Sequence, residues 1–223
     1  MLKSYQAFIP GAFPTYTYVT RQPKEDFSYE TRLEQSILTI GYLTSIIGTS
    51  KTGKSVLCEK VIGLDYIVNL SGNDFKENDN FWTVVASKVG ISLQSSHSEY
   101  SKIEGKVTYG LTEGRSTTIT ESFRLLKDKV LQYFKSNNLV LVLDNFHYAP
   151  ETIQFEIAYQ LKDAIRKQFR AIIISLPHRA GDAVRKNPDL SGRLNLINIE
   201  PWNLDELREI ALTGFQLLGM ERE

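Results

Sequence analysis

The chain has 223 residues, 42% of them hydrophobic, with 26 basic residues against 26 acidic ones and a single cysteine. That length suits one large α/β domain, or a domain with a small appendage, and the composition can fill a sizeable core. The balanced charge gives no general pull toward nucleic acid or anionic membrane, leaving only a local basic patch open, and the lone Cys58 excludes an intrachain disulfide and fits a reducing compartment.

Residues 1–30 are rich in Pro, Tyr and Phe and read as an extended arm with turns; the arm proper is taken as 1–28. The start lacks the basic residues and long apolar run of a signal peptide. No stretch supplies about 18 consecutive apolar residues, so no membrane partner is expected and the location expected is cytoplasmic. Leu33, Ile37 and Leu38 space a short amphipathic helix over 29–38. "YLTSII" (42–47) reads as a strand, Lys54 to Ile62 as a helix, and "YIVNL" (66–70) as a second strand. Cys58 falls on that helix and is expected to be a small buried hydrophobe. A helix is expected at 81–89 on Phe81, Trp82, Val85 and Val89. Residues 91–120 are rich in Ser, Thr and Gly and read as a polar insertion, with a helix from about 121 to 135. "LVLVL" (139–143) and "AIIIS" (171–175) are strands buried on both faces, separated by a helix at 152–167. "LNLINI" (194–199) is a fifth strand. A last helix starts near Leu204, with Asn203 as its N-cap and acids in its first turn. Strands without surface alternation, alternating with helices, predict a mainly parallel sheet in an α/β layered fold.

Between the first strand and its helix stands "GTSKTGKS". Gly48, Thr49, Ser50, Lys51, Thr52, Gly53, Lys54 and Ser55 fit G-x-x-x-x-G-K-[ST] in full. Glycines let the backbone curl so that successive N–H groups converge on phosphate oxygens. The helix N-terminus adds its positive end. Lys54 would reach the β and γ phosphates, Val56 follows in the first turn, and the Ser55 hydroxyl would ligate Mg²⁺. The motif sits after a strand and before a helix, as that chemistry requires. The second Mg²⁺ group expected is Asp144, ending the strand "LVLVLD". Hydrolysis also needs a group to polarise water. Asn145 occupies the place where a carboxylate commonly follows, and an amide orients water without taking its proton. His147 is the alternative base or relay, weighed against an ordinary loop histidine. Ser175, His178 and Arg179, at the end of the fourth strand, are candidates to sense the γ phosphate. Arg193, just before the fifth strand, is a candidate to reach a neighbouring subunit's γ phosphate, weighed against a local salt bridge.

The Walker A match at 48–55, the Walker B strand ending at Asp144, and "PDLSGRL…I.I.PW…EL" after the fourth strand resemble the AAA+ and STAND branch of P-loop ATPases. Origin-recognition-type and NLR-type nucleotide-binding domains share the layout. The resemblance implies a P-loop NTPase three-layer sandwich with a five-stranded sheet ordered 5-1-4-3-2, and ATP or ADP with Mg²⁺ as cofactors. It places Tyr18, Val19 and Arg21 of the arm near the base or ribose. It makes 29–223 the ATPase core. These ATPases often carry a helical lid after it, which is missing or truncated here, so the chain reads as the front part of something longer. Asn145 departs from the usual acidic residue, so hydrolysis is expected to be slow. The function implied is an ATP-binding switch controlling self-association or a protein effector, as in bacterial antiphage defence. The alternative is a DNA-associated AAA+ loader, replication or transposition ATPase, which a basic stripe through Lys102, Lys106 and Arg115, or through Arg179, Arg185 and Lys186, would favour. A nucleoside kinase would need an acceptor site and a lid arginine cluster. GTP specificity lacks its N-K-x-D.

Overall fold

The computed structural model describes residues 2–9, 11–23, 27–91, 113–177, 190 and 192–220, with the side chains of 113–122 excepted. The chain builds β1 (Leu43–Gly48), β2 (Ile67–Ser71), β3 (Val140–Asp144), β4 (Ala171–Ser175) and β5 (Leu194–Ile199). They form one sheet in the order β2-β3-β4-β1-β5, every pairing parallel. This is the order 5-1-4-3-2, and the sheet is wholly parallel where a mainly parallel one was expected.

The central strands are apolar on both sides because helices cover both faces. In β3, Leu141 and Leu143 face one layer while Val140 and Val142 face the other; Ala171 and Ile173 divide from Ile172 and Ile174 in the same way. On the first face lie α4 (Phe81–Lys88), α5 (Glu113–Ser136) and α6 (Glu151–Arg166), contributing Phe81, Trp82, Val130, Phe134, Ile157 and Leu161. On the second lie α2 (Tyr29–Leu38) and α3 (Lys54–Ile62), through Tyr29, Leu33, Leu57 and Cys58. The edge strand β5 alternates, with Ile197 and Ile199 inward and Leu196 exposed, as a strand covered on one face should. Before the core, α1 (Ser4–Ala7) is a single turn inside the arm that the sequence read as extended. It packs against α7 (Leu204–Leu217), where the Phe8 and Phe215 rings meet edge to face at 5.8 Å.

The helix starts are capped where the sequence supplies short polar side chains. Ser28 Oγ accepts from Thr31 N, Asn80 Oδ1 from Thr83 N, and Asn203 Oδ1 from Glu206 N at 2.9 Å. Glu206 Oε2 accepts in return from Asn203 N, closing a capping box.

One expected boundary is corrected. The polar insertion was taken to run to residue 120, but α5 begins at Glu113, eight residues before the helix was expected. Leu126, Val130 and Phe134 anchor the later turns in the core, and extending an anchored helix backward through Ser and Thr costs only tenths of a kcal/mol per residue. Residues 92–112, most of that insertion, lie outside the described residues. No helix among the described residues is long and apolar enough to cross a membrane.

Cys58 is buried, and burial pushes its thiol well above the usual range, with Asp144 and Glu59 adding to the shift. A thiol held neutral and inaccessible is a poor nucleophile. The folded protein should therefore be inert to a disulfide-exchange reagent such as DTNB, and denaturation should release one thiol equivalent. Rapid reaction of the native protein would contradict this packing.

Candidate nucleotide-binding site

The glycine-rich loop leaves β1 at Gly48 and enters α3 at Gly53. Gly48 is fixed by space, since a Cβ there would lie 2.8 Å from Ile199 O and 3.0 Å from Thr52 Oγ1. Gly53 is fixed by conformation, with φ of 84° at the helix N-cap. The loop is a closed turn. Thr52 Oγ1 donates to Thr49 O at 3.0 Å, while Lys54 Nζ donates to Gly48 O at 2.9 Å and to Thr49 O at 2.6 Å. Its ammonium therefore lies across the mouth of the loop. Burial lowers the Lys54 pKa, and the Asp144 charge pulls in the opposite direction.

The pairing order sets the next contact. β4 lies between β1 and β3, so the C-terminal ends of all three converge on the loop. Ser55 Oγ, in the first turn of α3, donates to Asp144 Oδ2 at 2.6 Å. Asp144 Oδ1 accepts from Asn145 N at 2.7 Å, which fixes the carboxylate from its other side. Asn145 has φ of 50°, in the left-handed region that Asn tolerates better than most residues. Its identity thus has a backbone reason that sequence reasoning, concerned only with the missing acid, did not supply. Its side chain is exposed. His147 sits on the one-turn helix Phe146–Tyr148, half-buried, with its ring 4.2 Å from that of Tyr148. Ser175 ends β4, paired with Ile47, and is buried with an Oγ that makes no hydrogen bond among the described residues.

The arm passes behind the loop. A cleft of about 140 Å³ lies between Tyr18 and Val19 of the arm, Thr52, Gly53 and Val56 of the loop and α3, and Trp202 and Ile210 after β5. Arg21 borders this cleft but is fully engaged. Its Nη1 donates to Thr52 O at 3.2 Å, its Nη2 to Glu200 O at 2.8 Å and Pro201 O at 3.1 Å, and its Nε to Glu206 Oε1 at 3.1 Å. The guanidinium also stacks on Trp202, 4.1 Å from the ring centroid. Trp202 Nε1 donates to Lys51 O at 3.0 Å. Expected near the base or ribose, Arg21 borders this cleft and spends its donors holding the loop to the exit of β5 and the start of α7.

Arg193 lies at the other end of the sheet. Its carbonyl accepts from Leu43 N at the start of β1, and its Nη1 would be 3.6 Å from a Cβ on Gly41. The six-residue β1 separates it from its own loop by about 20 Å. That distance is too long for contact with its own phosphate site, and the two alternatives left are a local role at the start of β1 and a role toward a second copy. His178 and Arg179 lie outside the described residues, as do Lys102, Lys106, Arg185 and Lys186; Arg115 is described in backbone only.

Three residues around the site escaped sequence reasoning: Trp202, Glu206 and Glu30, the last standing in the first turn of α2 at the border of the cleft. Trp202 stands in the "PW…EL" segment noted for its resemblance but given no role, and Glu206 of the same segment was expected only as one of the acids in the first turn of the last helix. The N-x-x-E spacing of Asn203 and Glu206 is a capping-box signal. Glu30 carried no signal, since nothing in its local sequence says what it faces.

No family model matches the chain, and no curated protein matches it. Among solved structures, the Walker-type ATPase PABY2304 of Pyrococcus abyssi aligns with a TM-score of 0.53 at 16% identity, over 87% of this chain and 58% of that one. Cdc6p from Pyrobaculum aerophilum aligns with a TM-score of 0.55 at 19% identity, over 96% of this chain and 53% of that one. The fold is that of a P-loop NTPase. The chain spans little more than half the length of these two proteins.

Replacing Arg21 leaves Thr52 O, Glu200 O and Glu206 short of a partner in a buried setting. Arg21→Ala should cost about 3 kcal/mol or more, lowering the melting temperature by roughly 6–12 °C in a chain this long. Arg21→Lys should restore little, because an ammonium cannot span these acceptors. Calorimetry of the two variants checks this, and a wild-type melting temperature for Arg21→Lys would refute the strut.

Proposed function

We propose that the chain binds ATP, or ADP after turnover, through the 48–55 loop and acts as a slow switch of the AAA+ or STAND type. Its nucleotide state would set self-association or the output of an attached protein effector, with antiphage defence the biological setting that the sequence resemblance suggests. The observation supporting this reading most directly is the Ser55–Asp144 hydrogen bond at the mouth of a closed glycine loop. Two oxygen donors from separate elements meet there, beside a lysine held across the phosphate path. The names of the structural neighbours, one of them a Walker-type ATPase, agree with it.

The donor set fits Mg²⁺. This ion takes one or two protein oxygens and completes its shell with phosphate and water, so a hydroxyl and one carboxylate suffice. Among the described residues no cluster of three or more His, Cys, Asp or Glu could hold a metal without the phosphates. When bound, Mg²⁺ would offset charge on the β and γ phosphates, with Ser55 and Asp144 as the chain's ligands.

The chain's own groups then have distinct tasks. Lys54 exchanges the carbonyls of Gly48 and Thr49 for phosphate oxygens. The loop N–H groups and the start of α3 neutralise the phosphate charge. Ser175, buried between β1 and β3 at the strand ends, offers a hydroxyl to the γ phosphate. Asn145 positions a water without removing its proton, and His147 is the base nearest in sequence. Both leave turnover slow. Arg193 would act only on the nucleotide of a second copy.

Lys54→Ala should weaken ATP binding by roughly 10- to 150-fold, the worth of a charge-assisted contact to phosphate. Titration calorimetry with Mg²⁺ and ATP tests this, and an unchanged affinity would defeat the reading. Asn145→Glu should raise phosphate release if the amide limits the reaction. Arg193→Ala should leave monomer affinity intact and lower release only at protein concentrations where light scattering shows assembly. Equal loss at every concentration would rule out action in trans.

A further inference from the structure

The cleft behind the loop is bordered by a carboxylate, one oxygen of which makes no hydrogen bond among the described residues. Glu30 stands in the first turn of α2 and borders the cleft together with Tyr18 of the arm. The Tyr18 hydroxyl donates to Glu30 Oε1. Glu30 Oε2 is buried and makes no hydrogen bond among the described residues. A buried carboxylate oxygen without a donor is unfavourable, so this atom is a standing demand for one. The rest of the cleft wall is largely apolar, formed by Val19, Val56, Trp202 and Ile210, and suits the flat faces of a heterocyclic base. Thr52 and Gly53 border the same cleft, which makes it continuous with the phosphate loop.

We propose that Glu30 Oε2 reads the 6-amino group of adenine, and that the Tyr18–Glu30 pair is the base-specificity element of the nucleotide site. The proposal rests on the nucleotide-binding reading above. The choice of base follows from the number of free acceptors. Guanine presents two adjacent donors, N1–H and the 2-amino group, which a carboxylate takes with both oxygens. Here Tyr18 already occupies Oε1, and one acceptor remains. Adenine offers one amine to one oxygen. Uracil and hypoxanthine carry a carbonyl where adenine carries the amine, and a carbonyl against Oε2 sets two acceptors together.

The probes are ATP, GTP and purine riboside 5′-triphosphate, which differs from ATP only in lacking the 6-amino group. Wild-type protein should bind ATP roughly 10- to 150-fold more tightly than the purine riboside triphosphate, the discrimination expected when a buried charged acceptor loses its donor. Glu30→Met, which keeps the length of the side chain but carries neither carboxylate oxygen, should bring the two within about threefold, chiefly by weakening ATP. Tyr18→Phe frees Oε1 and should narrow the preference for ATP over GTP, a change that a merely structural tyrosine would not produce. Equal wild-type affinity for ATP and the purine riboside triphosphate overturns the proposal and leaves nucleotide binding standing. GTP binding as tightly as ATP also overturns it. A preference that survives in Glu30→Met removes Glu30 from the role. Failure of the wild-type protein to bind any triphosphate overturns the parent reading and this one together. The wild-type comparison needs no substitution, so the test holds even where a variant folds poorly.

Discussion

The guanidinium of Arg21 is the constraint on which the site depends. A glycine-rich loop has little intrinsic preference for one conformation, because the residues that permit its curl also permit many others. Its carbonyls must therefore be held from outside. Arg21 takes Thr52 O, and the indole that lies beneath Arg21 takes Lys51 O. Both anchors stand on segments remote in sequence, one in the arm before the core and one after the last strand. The arm, the loop and α7 are in this way fixed by one cluster, and the price is a buried cation whose every partner must be present.

The sheet provides the second constraint. Because β4 inserts between β1 and β3, the residues that end these strands face one another across a short gap. Ser55 and Asp144 come from different places in the chain and meet there, while Ser175 ends β4 beside Ile47 of β1. A parallel sheet brings its strand ends together in this way, and sites in such folds gather at that edge. The same geometry carries Arg193 to the opposite edge, where it pairs with the start of β1.

Much of this was legible in the residues. The strands were readable because β-branched and Leu runs buried on both faces have few other interpretations, and the five expected strands match to within one residue at either end. The loop was readable because its motif combines conformation and charge at fixed spacing. Arg21 was placed near the base or ribose, and it borders the cleft, but its partners were not legible, since a sequence shows that an arginine is available and not which acceptors surround it. Asn145 was read only as a missing acid because backbone dihedrals are not visible in a residue name. The early start of α5 was missed because Ser and Thr composition was taken as a loop signal, while the core contacts anchoring the later turns set the helix. Glu30 and Trp202 were invisible as site residues because each acts across more than a hundred residues or through an orphaned atom.

Glu206 uses one oxygen to cap α7 and the other to hold Arg21. The helix is thereby mounted on the same pivot as the phosphate loop. It has 14 residues, a length of about 21 Å. A tilt of about 5° at its capped end would carry Leu217 by roughly 2 Å, the reach of a rigid lever of that length. Displacements too small to matter at the loop become large enough to make or break a packed contact at the far end of α7, and Phe8 against Phe215 is the contact that would register them first.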